Sequence, residues 1–279
     1  MRKLLLAGVA GIALAVAAPA NAANLGPRPT YKAPPVVAPV PIFTWTGCYI
    51  GGHVGGGWGR KELADATAEP NGRFFVGSTK PESIRANTSG FLGGGQVGCD
   101  YQLAPNWVIG IQGSGSGANI KGDVLDTFWE SADPGVNKRF HARTDWLADV
   151  TGRVGWTWDR WMIYGKGGVA WAGDKYSVTE GLSCACIFPA SATRTGFVAG
   201  VGLEWAFWTN LSAFVEWDFY GFGTRTVAFN QHCQSTGCTP FNSGLTDVKQ
   251  DINVVKAGIN WRFNWGKAPI GKAPVVAKY

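Results

Sequence analysis

Between Trp45 and Phe263, apolar or glycine positions alternate with polar ones, in runs of roughly ten to fifteen residues broken by turns or polar stretches. The clearest run places Trp146, Ala148, Val150, Gly152, Val154, Trp156 and Trp158 on one parity and Asp145, Asp149, Thr151 and Arg153 on the other. Trp161, Ile163, Gly165, Gly167, Val169 and Trp171 follow, against Tyr164, Lys166 and Gly168. Phe197, Ala199, Val201, Leu203, Trp205 and Phe207 then oppose Gly200, Gly202 and Glu204, and Leu211, Ala213, Val215, Trp217 and Phe219 oppose Ser212, Glu216 and Asp218. Earlier, Phe91, Val97 and Tyr101 oppose Gln96 and Asp100, and Trp107, Ile109 and Ile111 oppose Gln112. A period of two predicts strands. Connections alternate strictly in length: short near Ala104–Asn106, Asp159–Arg160 and Trp208–Asn210, long and polar near 60–87, 122–142, 176–193 and 228–247. The count predicts eight antiparallel strands with both chain termini on the periplasmic side.

Alternation alone also fits a soluble barrel, whose apolar face points inward and whose outer face is charged. Here the apolar face is free of charge across six strands and ends in aromatics, as lipid requires, since a charge near the bilayer midplane costs ~2–4 kcal/mol. Tyr101, Trp107, Trp158, Trp161, Phe207 and Phe263 all fall beside short turns, where an interfacial girdle belongs. The expected fold class is therefore all-β, an eight-stranded antiparallel transmembrane β-barrel. Closure of the ring leaves no sheet edge in lipid.

Composition adds the ends of the chain. Arg2 and Lys3, the apolar run Leu4–Ala18 and Ala20-Asn21-Ala22 read as a signal peptide over residues 1–22, with export to the outer membrane. Residues 23–43 carry six prolines and read as an extended linker, residues 44–263 as the barrel, and residues 264–279 as a basic tail. The formal net charge of +6 resides in these ends: Arg2, Lys3, Arg28, Lys32, Lys267, Lys272 and Lys278 carry seven charges, leaving −1 for the rest. A nucleic-acid partner thus loses its main support. The tails serve as solvated spacers or as contacts with anionic envelope polymer such as peptidoglycan. Forty glycines in 279 residues, about twice the usual ~7%, argue against an all-α protein, and no Gly-X-Y period accompanies them.

The opposite strand face supplies a candidate lumen charge network: Asp100, Asp145, Asp149, Arg153, Lys166, Glu204, Glu216, Asp218, Lys256 and Arg262, beside Gln96 and Gln112. Eight strands enclose space that side chains just fill, so mixed charges there predict a paired polar plug. A narrow, weakly selective solute path, a small passive porin, is the alternative. Six cysteines in an exported chain predict disulfides. Cys48 and Cys99 share the apolar parity near the short-turn rim, and Cys184, Cys186, Cys233 and Cys238 lie in two neighbouring long segments.

The final strand carries the most specific motif. Lys256, Gly258, Trp261 and Phe263 give the polar–glycine–hydrophobic–aromatic spacing by which outer-membrane assembly machinery recognises its clients. Sixteen residues follow Phe263, so recognition here would be internal. With the opening run Phe43-Thr44-Trp45-Thr46-Gly47-Cys48-Tyr49-Ile50-Gly51-Gly52 and the closing Ile259-Asn260-Trp261-Arg262-Phe263, residues 43–279 resemble the outer-membrane immunogenic proteins, the small surface-antigen barrels of alphaproteobacteria. More distantly they resemble eight-stranded OmpA/OmpX-type barrels. The resemblance implies a structural or surface-interaction role in the cell envelope.

Catalytic constellations are sparse. His53 sits in a glycine-rich strand, His232 in a Cys-bearing segment, and His141 near Asp145; none has a nucleophile elbow beside it. The Gly clusters at 51–59 and 93–95 lack a following Gly-Lys-Ser/Thr. No enzymatic activity, cofactor or metal is expected. The expected partners are outer-membrane lipid and lipopolysaccharide and the assembly machinery; Phe74, Phe75, Phe128 and Trp129 in the long segments read as ordinary surface-loop residues, with contact to lipopolysaccharide or a host surface as the alternative.

Overall fold

The computed structural model describes residues 43–65, 83–125, 138–180, 186–229, 232–233 and 245–263. Residues 1–42 and 264–279, on which the expected signal peptide, all but the last residue of the expected linker and the expected tail fall, lie outside the described residues, as do Phe74, Phe75, Phe128, Trp129, Cys184 and Cys238. The strands are β1 (Gly47–Asp65), β2 (Ser83–Ala104), β3 (Trp107–Leu125), β4 (Lys138–Trp158), β5 (Trp161–Glu180), β6 (Cys186–Trp205), β7 (Leu211–Ala228), the two-residue β8 (His232–Cys233) and β9 (Leu245–Phe263). All pairings are antiparallel. β1 pairs with both β2 and β9, β7 joins β9 to β6, and β5–β6 pairing closes the ring of eight; β8 adds to the long-loop end of β6.

The ring follows from the alternation. Ile50, Val54, Val97, Ile111, Val150, Val154, Val201 and Ile259 point outward, while their polar neighbours point inward and are buried. Trp107 packs edge-on against Trp156, and Trp161 stacks on Trp205, at ring-centroid distances of 5.1 and 5.4 Å. Phe207 is half-buried between Trp205 and Trp208. With Tyr101, Trp158 and Phe263 these rings border the short-turn end. A second border runs through Trp58, Phe91, Trp146 and Phe197. Ten residues separate Cys48 from Trp58 on β1; at ~3.4 Å per residue and a tilt of ~40° that is about 26 Å, the height of an outer-membrane apolar band.

Above that border the same strands invert their polarity. Arg60, Arg85, Lys121, Arg143, Lys175 and Lys249 point outward, whereas Leu63, Phe140, Ala142, Tyr176, Val227 and Val248 form an apolar core inside. Water outside demands charge there, as in a soluble barrel. The long polar segments expected at 60–87, 122–142, 176–193 and 228–247 are therefore partly strand.

One expectation about the lumen is corrected. Asp145 does not enter it: a bulge between Thr144 and Trp146 shifts the β4 register, so inward positions change from even to odd numbers and Leu147 takes the inward place. Asp145 stands on the outer wall, ion-paired with Arg143 and, at 2.7 Å, with Lys175. The Lys175 hydrogen bond, with Arg143 alongside, holds its carboxyl below the usual carboxylate range.

At the short-turn rim Asp159 adopts φ 52°, a left-handed turn conformation that aspartate tolerates. Thr157 N–H donates to the Asn106 carbonyl and Arg262 N–H to that of Asn210, each at 2.8 Å, so pairing continues laterally through the turns.

Candidate functional site

The lumen is filled in layers. At the short-turn end Trp45, Val108, Met162, Tyr164 and Ala206 form an apolar floor, with Phe43 against it. Above it, Arg153 and Arg262 alternate with Asp100 and Glu204. Arg153 Nε donates to Asp100 Oδ1 at 2.7 Å and its Nη1 to Glu204 Oε2 at 3.3 Å; Arg262 Nη1 donates to Glu204 Oε1 at 3.0 Å and its Nη2 to Asp100 Oδ2 at 2.5 Å. Two cations face two anions, so this layer is neutral. Ser212, Asn260, Gln96, Gln112 and Tyr49 extend the hydrogen bonding around it. The Arg153 guanidinium lies between the Tyr49 and Tyr164 rings, 4.7 and 5.0 Å from their centroids. Both rings lie across glycines of the neighbouring strands, Gly98 and Gly202, where a Cβ would occupy the ring's own space. These glycines make room for the tyrosines that flank the cation.

The next layer joins Lys166 and Lys256 to Glu216, Asp218 and Asp149. Lys166 Nζ is 2.5 Å from Glu216, 3.1 Å from Asp218 and 3.9 Å from Asp149, and Lys256 Nζ is 2.9 and 3.0 Å from Glu216 and Asp218. Tyr164 and Tyr220 hydroxyls donate to Glu216 and Asp149 at 2.7 and 3.0 Å. An apolar layer of Leu92, Ile120, Leu147, Val198, Phe222 and Ile252 covers it. A third charged group, absent from the sequence-based network, lies higher: Asp174 receives Lys61 at 2.9 Å and Arg194 at 3.2 Å, with Thr144, Tyr176 and Gln250 bonded to it. Alternation could have found Lys61, Asp174 and Arg194 had it been followed past the aromatic border.

Nine of the ten sequence-predicted lumen residues thus lie in two linked clusters, and Asp145 lies outside. On β9, Lys256 and Gly258 face inward while Trp261 and Phe263 face the lipid side, their rings 5.3 Å apart. Cys48 and Cys99 sit directly opposite each other and form a disulfide. The β6–β8 register sets Cys186 opposite Cys233.

Two histidines bear on chemistry. His53 Nε2 lies 2.7 Å from Ser116 Oγ inside the barrel, but its Nδ1 has no hydrogen-bond partner, so no carboxylate orients the ring. His141 Nδ1 lies 2.6 Å from Asp123 and its Nε2 3.4 Å from the Thr179 hydroxyl, a relay in outline. These three stand on adjacent strands of the outer wall, where the backbone N–H groups belong to the sheet ladder and cannot stabilise an oxyanion.

No family model matches the chain. The 31 kDa outer-membrane immunogenic protein of Brucella melitensis biotype 1 is 25% identical over 231 residues, covering 82% of this chain and 88% of that protein. The 25 kDa outer-membrane immunogenic protein of Brucella abortus biovar 1 is 27% identical over 235 residues, covering 82% and 86%. Among solved structures, the outer membrane protease OmpT of Escherichia coli superposes with a TM-score of 0.53 at 8% identity, over 81% of this chain and 99% of that one, a likeness of fold alone. The chain is homologous to the Brucella outer-membrane immunogenic proteins and is an eight-stranded β-barrel of the outer membrane.

Proposed function

We propose that this barrel is a closed, non-catalytic surface component of the outer membrane, with a structural interior and an interacting exterior. One observation carries the reading: every charged side chain of the lumen clusters is only 0 or 1% exposed. A water-filled path would wet them. Their pairing, and the apolar layers below and above the two linked clusters, favour a plug over a passage. Planar-bilayer recording on refolded protein tests this. Folded protein, recognised by a gel mobility that shifts on boiling, is expected to give no conductance steps. Reproducible steps altered by Lys166→Glu would install the porin reading instead.

The exterior reading extends to the long-loop end. The register of Cys186 with Cys233 supports a second disulfide tying the segment before β6 to the one after β7. Non-reducing peptide mapping is expected to recover a linked peptide containing Cys186 and Cys233. Recovery of both as alkylated free thiols would refute it. The aromatic pair at the end of β9 supports delivery by the outer-membrane assembly machinery, tested as described in the Discussion.

A further inference from the structure

The outer wall just above the aromatic border is not uniform. On β9, β1 and β2, outward charges face opposite charges across the ladder: Arg60 opposite Asp251, Glu62 opposite Lys249, and Glu62 opposite Arg85. On β3, β4 and β5 the ladder instead sets Lys121 opposite Arg143 and Arg143 opposite Lys175, three cations side by side. Ser89 on β2 and Ser191 on β6 continue this row. All five side chains are exposed. With strands ~4.8 Å apart, the cations span about 10 Å.

Like charges directly opposite each other destabilise a sheet, and the wall compensates them only in part. Asp145 bridges Arg143 and Lys175. Lys121 has no carboxylate within ion-pair distance among the described residues. Asp123, the next outward carboxylate on β3, is paired with His141, which lies opposite Ser177 one step higher. The row itself keeps a formal charge of +2. Its Lys121, Arg143, Lys175 and Ser191 line a groove of about 740 Å³ together with Asp123 and His141. Directly below, the Trp146 indole occupies the space beside Gly173 that a Cβ there would need, at the upper edge of the apolar band.

We propose that this row holds a phosphate of lipopolysaccharide in the outer leaflet. Short turns on the periplasmic side and long segments outside place the row at head-group height on the outer face. An acyl chain descending from a phosphate there would run along Trp146 and the aliphatic wall below it. The three cations then exchange mutual repulsion for a shared anion. This deepens the surface reading by naming a partner for the wall, and it holds whether the lumen is open or closed.

The test uses full-length mature protein refolded in detergent micelles, titrated with purified lipopolysaccharide, with the same lipopolysaccharide after enzymatic dephosphorylation, and with inorganic phosphate. The wild type is expected to bind the phosphorylated form about tenfold or more tightly than the dephosphorylated one, and inorganic phosphate only weakly. The variant Lys121→Gln/Arg143→Gln/Lys175→Gln should lose that preference. The opposite-wall variant Arg60→Gln/Lys249→Gln should keep it. Retention of the boiling-dependent mobility shift in both variants separates lost binding from lost folding. Equal affinity of wild type and triple variant, equal affinity for both lipopolysaccharides, or inorganic phosphate binding as tightly as lipopolysaccharide would each overturn the proposal.

Discussion

Cells expressing Phe263→Asp or Trp261→Asp are expected to carry no folded protein in the outer membrane, whereas the same variants refold in detergent micelles. The two halves of that result separate recognition from stability. Trp261 and Phe263 project to the lipid side at the short-turn rim, where Cys48 pairs with Phe263 and Ile50 with Trp261. A charge at an interface costs only about 0–1 kcal/mol, against ~2–4 at the midplane. Loss of one aromatic contact adds about 0.5–1.5 kcal/mol. Neither figure unfolds a barrel closed by eight antiparallel pairings. Complete loss in cells therefore requires that the assembly machinery no longer reads β9. Trp158→Asp, at the same rim on β4, is the control and should assemble. Normal insertion of Phe263→Asp, or equal failure of Trp158→Asp, would remove the assembly-signal argument.

The lipid-embedded half of this barrel is legible in the sequence because lipid allows only one arrangement there: apolar outward, polar inward, aromatics at the border. The upper half is harder to read because its solvent changes. Arg60 and Glu62 look like the start of a loop when only an apolar outer face is sought, yet Lys61 and Leu63 continue the inward parity on the same strand. Asp145 misleads for a different reason. The bulge at Thr144/Trp146 slips the register by one residue, and a slip of one exchanges the faces. The two lower clusters were legible as inward charges but not as partnerships, and the third was not in the sequence-based network at all. Arg153 on β4 meets Glu204 on β6, and Lys61 on β1 meets Asp174 on β5, across a lumen whose radius no local pattern reveals. The Cys48–Cys99 bridge, by contrast, needed only shared parity and similar depth on neighbouring strands.

Replacing Arg153 with Met is expected to destabilise the barrel by about 3–5 kcal/mol, the usual cost of leaving a buried charge without its partner. Arg153 and Arg262 together neutralise Asp100 and Glu204. Without Arg153, one carboxylate in a dry interior lacks compensation, and the cation between Tyr49 and Tyr164 is lost. The urea midpoint of unfolding in micelles, read from the boiling-dependent mobility shift, measures the effect. The double variant Asp100→Asn/Arg153→Met restores neutrality, leaving Arg262 with Glu204, and should recover most of the loss. Arg85→Met sets the scale for an exposed pair: Arg85 and Glu62 stand 72% and 35% exposed on the outer wall, and breaking them should cost at most about 1 kcal/mol. The comparison also decides the state of the lumen. In a wet channel water would solvate Asp100 and Glu204, so Arg153→Met would cost no more than Arg85→Met and the double variant would recover nothing. A large loss with recovery means that the charges are held out of water, which is what closes the barrel.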